Sequence, residues 1–149
     1  MIKFSALAFA LLLVSFVPAP ASAAEQAGGE KVILHVDQND PKVMELALNN
    51  VNNLISYYKQ NGQTVQIEVV TYGPGLNMLR QDTSPVKDRI ASIALENQNV
   101  QFIACGNTLE NMTKKEGTKP PLVSEAKLVP AGIVRIIELQ RQGYAYIKP

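Results

Sequence analysis

"VQFIACGNTLENM", Val100 to Met112, decides the reading of this chain. Val100 to Cys105 is an apolar run suited to a buried strand, and Gly106 interrupts it. Asn107 and Glu110 then stand three apart like a capping box, with Asn where Ser or Thr is usual, opening a short helix to about Lys115. A strand running straight into a helix is half of a β-α-β unit. Cys105 falls at the junction, and it is the only cysteine among 149 residues.

The same alternation recurs on both sides. Lys31 to Val36, "KVILHV", reads as a buried strand. Asp40 can cap a following helix and Pro41 suits its first turn. Met44, Ala47, Leu48, Val51, Ile55 and Tyr58 recur at helical spacing, and Asn61-Gly62 ends that helix. Thr64 to Tyr72 is a second strand, broken by Gly73-Pro74-Gly75, with a short irregular or helical piece through Met78 and Leu79. Ser84-Pro85 opens a helix with Val86, Ile90, Ile93 and Ala94 on one face. Beyond the loop "EGTKPPLVSE", Ala126 to Pro130 is a short strand. Pro130-Ala131-Gly132 leads into a helix through Ile133, Ile136 and Ile137, closed by Gly143, and "YAYIK" is the last strand. This order predicts an α/β three-layer sandwich with a mostly parallel five-stranded sheet, because parallel neighbours need helical crossovers.

The N-terminus has a different character. Lys3 precedes an apolar run from Phe4 to Val17 that is short for a membrane span. Pro18 and Pro20 follow, and Ala21-Ser22-Ala23 matches a cleavage signature. Residues 1–23 are therefore expected to be a cleavable signal peptide, and residues 24–30 a disordered leader. Residues 31–149 form one domain, which works outside the cytoplasm in a bacterial periplasm. The chain carries 14 Lys and Arg against 13 Asp and Glu. With Lys3 removed the balance is even, which argues against nucleic acid or an anionic membrane as a partner. A lone cysteine permits neither an internal disulfide nor a C-x-x-C pair.

In a parallel sheet, ligands bind beyond the carboxyl ends of the strands. The residues placed there are Asp37 to Asp40 with Asn39, Tyr72 to Gly75, Cys105 to Thr108, and Pro130 to Gly132. Cys105, just ahead of a helix N-terminus, meets free N–H groups and the positive end of the helix dipole, which favour thiolate. An inert buried cysteine is the common alternative, and the residues alone leave both open. His35, the sole histidine, is read as a hydrogen-bonded structural residue or as a partner of Cys105 from the adjacent strand. Arg80 follows the Gly-Pro-Gly loop and is within reach of an anion there, although a solvated helix charge is the simpler reading. "DQNDP" carries two carboxylates where a flavin phosphate site would need hydroxyls and glycine. There is no P-loop, G-x-G-x-x-G or G-x-S-x-G, and "CGNTLEN" lacks the arginine of a rhodanese-like loop.

Taken together, "LHVDQNDP", "LALNNVNNL", "IEVVTYGPGLNMLR", "TSPVKDRI", "FIACGNTLENM", "KEG" and "LVPAGIVRIIELQRQGYAYIKP" resemble the DsrE/DsrF-like family, and in particular its signal-bearing members. The similarity runs from about Lys31 to Pro149. It implies a five-stranded sandwich that assembles into homo-oligomers, often trimers or hexamers. It also implies that Cys105 can carry a persulfide, and that sulfur donor or acceptor proteins are partners. The relay members are cytoplasmic, whereas this chain bears an export signal.

The expected function is thus sulfur handling in the periplasm, with sulfane sulfur carried on Cys105 and no cofactor or resident metal. Asn107 and Thr108 supply hydrogen bonds, Gly73-Pro74-Gly75 shapes the entrance, and Asn39 and His35 line the surroundings. The alternative is an oligomeric binding module in which Cys105 is a wall residue. A soft-metal site through Cys105, His35 and Met78 is a third reading. The apolar "KPPLV" loop, which a monomer would expose, adds weight to self-association.

Overall fold

The computed structural model describes residues 29–149. The signal segment and leader residues 24–28 lie outside the described residues. Five strands and four α-helices alternate: β1 (Glu30–Val36), α1 (Pro41–Gln60), β2 (Val65–Thr71), α2 (Lys87–Glu96), β3 (Val100–Cys105), α3 (Gly106–Glu116), β4 (Ala126–Val129), α4 (Gly132–Arg141) and β5 (Ala145–Ile147). A 3-10 helix, Gly73–Leu79, fills the piece after β2. Glu30, expected in the leader, belongs to β1, where its N–H donates to the Thr64 carbonyl at 3.0 Å.

The strand order is β4-β3-β2-β1-β5, and every pairing is parallel. The order explains the layers. Right-handed crossovers stepping in one direction all lie on one face, and a step in the opposite direction lies on the other. β1 to β4 step one way, so α1, α2 and α3 share a face. The β4-to-β5 connection returns across the whole sheet, so α4 lies on the opposite face.

Burial follows that division. Val32, Leu34 and Val36 of β1 pack with Met44 and Leu48 of α1, Ile90 of α2 and Leu109 of α3. The alternate positions Ile33, Val70 and Ile103 pack with Ile136 and Leu139 of α4. α1 buries Met44, Ala47, Leu48 and Val51, which is the i, i+3, i+4, i+7 spacing of one helical stripe. Asp40 caps it by accepting the Lys42 N–H at 2.8 Å, with Pro41 in the first turn. Each fully buried Leu there contributes about 2 kcal/mol of transfer free energy. Leu48→Ala would cost about 2–5 kcal/mol because a cavity is also left.

The "KPPLV" loop does not present an exposed apolar patch. Val123 is buried in the three-helix core and Leu122 packs against it, anchored by a bridge to Arg80. Exposed apolar side chains on the α4 side are Ile133, Val134 and Ile137 of α4 and Tyr146 of β5, whereas Leu128 and Ile147, in register with Ala104 and Leu34, are exposed on the three-helix face. One helix is too narrow to cover a five-stranded sheet, so this face is left partly bare. No helix among the described residues is long and apolar enough to cross a membrane.

Candidate functional site

Adjacent parallel strands whose helices depart to opposite faces open a crevice at their carboxyl ends. Here those strands are β3 and β4, followed by α3 and α4, and Cys105 closes β3 in that crevice. Its neighbours Phe102 and Ala104 face the three-helix core, and Ile103 faces α4, so alternation aims Cys105 to the α4 side. The side chain is 5% exposed.

Two helix starts converge on the sulfur. Cys105 is itself the N-cap residue of α3, in extended conformation. Gly132 opens α4, and a Cβ there would stand 3.2 Å from Cys105 Cβ and from Tyr72 Cβ. A side chain at this position would have to displace one or both by a few tenths of an ångström. Burial pushes the Cys105 thiol up, but the Thr108 hydroxyl and the N–H groups of Gly132, Thr108 and Asn107 outweigh it, so the thiol lies below its ordinary value. Sulfur is a large, diffuse acceptor, and these donors act on it mainly as aligned dipoles at two helix N-termini.

The capping box expected at Asn107 and Glu110 does not form. α3 begins two residues earlier than such a box requires, with Cys105 as N-cap and Gly106 as first helical residue, because the chain turns directly out of β3. Asn107 contributes through its backbone, its N–H donating to the Pro130 carbonyl at 3.0 Å. Thr108 Oγ1 accepts the Gly73 N–H at 2.9 Å, tying the Gly73-Pro74-Gly75 loop to α3. Gly75 sits against the β1 end, where a Cβ would meet the Val36 carbonyl oxygen. Pro74 is exposed at the tip of the loop. Asn39 lies apart from the sulfur, its Oδ1 accepting from Asn77 Nδ2 at 2.8 Å.

His35 is not on the strand next to Cys105. β2 lies between β1 and β3, and Tyr72 at its end occupies the intervening place on the same face. The His35 and Tyr72 rings stack with centroids 4.4 Å apart. His35 Nδ1 is 2.7 Å from the Tyr146 hydroxyl. Burial is the main influence on His35 and holds it below its ordinary value, against the pull of Asp37 and with help from Lys148. Asp37 is held low chiefly by Lys148, whose ammonium donates to Oδ2 at 2.6 Å. A row of Cys105, Tyr72 and Asp37 thus crosses three strand ends, with His35 beneath it and Tyr146 and Lys148 beside it.

Two alternatives raised by the sequence lose their footing. Arg80 does not face a ligand site, because its guanidinium is held by Asp82 and Glu116, each at 2.7 Å. Met78 is buried in the three-helix core, so it shares no site with Cys105 and His35, and the soft-metal reading loses its third ligand. Tyr146 and Lys148 were not singled out by sequence, and Tyr72 and Gly132 were placed at the strand ends without a role. The alternation of Ile33, His35 and Asp37 marks one face of β1, and Gly132 repeats at α4 the strand-glycine-helix pattern of Cys105-Gly106. Nothing local signals Lys148. The apolar groove lined by Leu54, Tyr57, Tyr58 and Ile147 includes none of the site residues.

This fold defines a class of parallel-sheet α/β sandwich, here with one cysteine at the β3/β4 crevice. The chain matches the DsrE/DsrF-like family over residues 31–149 and belongs to that family. Among solved structures it is similar to MTH1491, a protein of unknown function from Methanobacterium thermoautotrophicum. The identity is 34%, with a TM-score of 0.67, covering 80% of this chain and 99% of that one. No curated protein matches.

Proposed function

We propose that this chain carries sulfane sulfur as a persulfide on Cys105. The observation that carries the reading is the convergence of two helix N-termini on one buried sulfur, which favours an anionic, nucleophilic thiol. Membership of the DsrE/DsrF-like family is compatible with sulfur relay. The thiolate attacks the terminal sulfur of a donor R–S–SH. A bond from Cys105 Sγ to that sulfur forms, the donor S–S bond breaks, and R–S⁻ leaves with the electron pair. The sulfane sulfur keeps its oxidation state, so no external oxidant or reductant is required. The terminal sulfur of the product is an anion at neutral pH and finds the same N–H dipoles.

The export signal read in residues 1–23 sets this chemistry in the periplasm, and N-terminal sequencing of the exported protein tests cleavage after Ala23. The bare apolar strip of Ile133, Val134 and Ile137 supports assembly with further copies of the same chain. Sedimentation equilibrium at micromolar concentration tests that, and a clean monomer removes it.

The carrier reading is tested by exposing wild type and Cys105→Ser to inorganic polysulfide and measuring intact mass. Wild type should gain sulfur, and the serine variant should fold and gain none. If wild type gains no sulfur, or its alkylation midpoint reaches the ~8.5 of a free thiol, the binding-module reading takes its place.

A further inference from the structure

Cys105 is 5% exposed, so a sulfur added to it has almost no open space to enter. Interiors are packed closely enough that one extra heavy atom is felt, and a neighbour of the thiol must give way. The neighbours differ in how they are held. Gly132 and Asn107 meet the thiol with the backbone of α4 and α3, and the Asn107 N–H is tied to the Pro130 carbonyl at 3.0 Å. Thr108 Oγ1 is tied to the Gly73 N–H at 2.9 Å.

Tyr72 is held by packing. The register that joins Thr71 to Ala104 continues one residue on and sets Tyr72 beside Cys105 on the next strand, about 5 Å away. Its side chain is partly buried and can swing about its own bonds without moving either helix. The ring leans on His35, with centroids 4.4 Å apart, and on the apolar cluster under α4. What it covers is incompletely paired. His35 is 3% exposed, the Tyr146 hydroxyl serves Nδ1 at 2.7 Å, and Nε2 has no hydrogen-bond partner. Buried polar atoms are nearly always paired. A cover that leaves one unmet is cheaper to open, because water reaching the imidazole supplies the missing bond and offsets part of the lost packing.

We propose that Tyr72 is the gate of the Cys105 site: it swings off His35 to admit the sulfur that Cys105 accepts, and it stays displaced while that sulfur is held. The inference rests on the carrier reading above for what enters, and on packing for what moves. Loaded and empty protein then differ at the carboxyl end of β1 as well as at the thiol. Opening relieves the burial that holds His35 low. The charges acting on His35 are Asp37 of its own strand and Lys148 beyond β5, the phenols of Tyr72 and Tyr146 flank the ring, and α4 adds no charged group. The Asp37–Lys148 pair is the same in both states, so Tyr72 is the part that changes.

His35 is the sole histidine, so one imidazole resonance in the untagged protein reports the cover. Its NMR titration is compared in protein that is unmodified, loaded with inorganic polysulfide, or treated with methyl methanethiosulfonate. The last reagent adds one sulfur whether or not the protein is a carrier. The Cys105 thiolate bonds to the methylthio sulfur, the S–S bond to the sulfonyl group breaks, and methanesulfinate leaves with the electron pair. Either modification should raise the His35 midpoint by about half a pH unit or more, toward the ordinary ~6.5. The methylthio product is neutral, and loss of a thiolate would lower the midpoint, so a rise reports uncovering. Tyr72→Ala should begin at the raised midpoint and show no further change, whereas Tyr72→Phe should behave as wild type. An unmoved midpoint in modified wild type overturns the proposal without need of a variant. So does a thiol that the small reagent cannot reach, or a folded Tyr72→Ala that still responds. If methylthiolation moves His35 but polysulfide adds no mass, the carrier reading falls and the gate stands as a property of the thiol.

Discussion

The Gly73 N–H donates to Thr108 Oγ1 at 2.9 Å, so the side chain that pins the loop after β2 is also the one whose hydroxyl helps hold the Cys105 thiol low. Thr108→Val keeps the shape and removes both functions. It should cost about 1 kcal/mol through the unmet Gly73 donor. The Cys105 thiol should titrate higher, so iodoacetamide alkylation at neutral pH should slow and its pH midpoint should rise. An unchanged midpoint would mean that the two helix starts alone set the thiol.

Gly132→Ala tests the second helix start. The added Cβ would press on Cys105 and Tyr72 at 3.2 Å, closer than most packed carbons tolerate. Such overpacking costs about 1–3 kcal/mol and would push α4 back from the sulfur. The expected result is a lower melting temperature together with a raised thiol midpoint. A stability loss with normal alkylation would confine Gly132 to packing.

Glu68 is buried beneath α4 and meets Arg135 through two guanidinium nitrogens. Arg135→Ala strands that carboxylate. The cost should be about 3 kcal/mol, the lower end for a broken buried pair because Arg135 is partly exposed. Replacing Glu68 by Gln in the same chain should recover part of it. Urea unfolding of the single and double variants measures both.

His35 gives stability a slope on the acid side. Burial holds its native value below the ordinary ~6.5, so between those two values the unfolded chain binds a proton that the native protein refuses. Its contribution is complete above ~6.5 and is lost as pH falls through that window. Asp37, depressed mainly by Lys148, adds a further loss below the ordinary carboxylate value of ~3.9. His35→Gln should flatten the first slope and keep the second. Urea midpoints from about pH 2 upward cover both windows, and would reveal an unaltered first slope if another group were responsible.

The strands, the helices and the position of Cys105 were legible because each rests on local signals. Met44, Ala47, Leu48 and Val51 mark a helical stripe, and Val100 to Cys105 an apolar strand. The partners of Cys105 were not legible, because sheet order is not a local property. Nothing within "KVILHV" says that β2 lies between it and β3, so His35 looked like a neighbour of the cysteine, and Tyr72, although placed at a strand end, was given no role. Likewise "KPPLV" reads as sticky until Val123 is seen packed in the core. Lys148 reaches Asp37 only because β5 returns to pair beside β1.

That return also fixes when the thiol matures. β1 pairs on one side with β2 and on the other with β5, and the register joins Ile33 to Tyr146. Such distant pairing forms late, after the local turns and crossovers. Cys105 emerges during synthesis well before Gly132, and Tyr146 and Lys148 come last. Until α4 has docked, the sulfur has one helix start behind it and behaves more like an ordinary thiol. The second helix start thus reaches Cys105 only once α4 has docked, and a chain ending before Gly132 keeps the first alone.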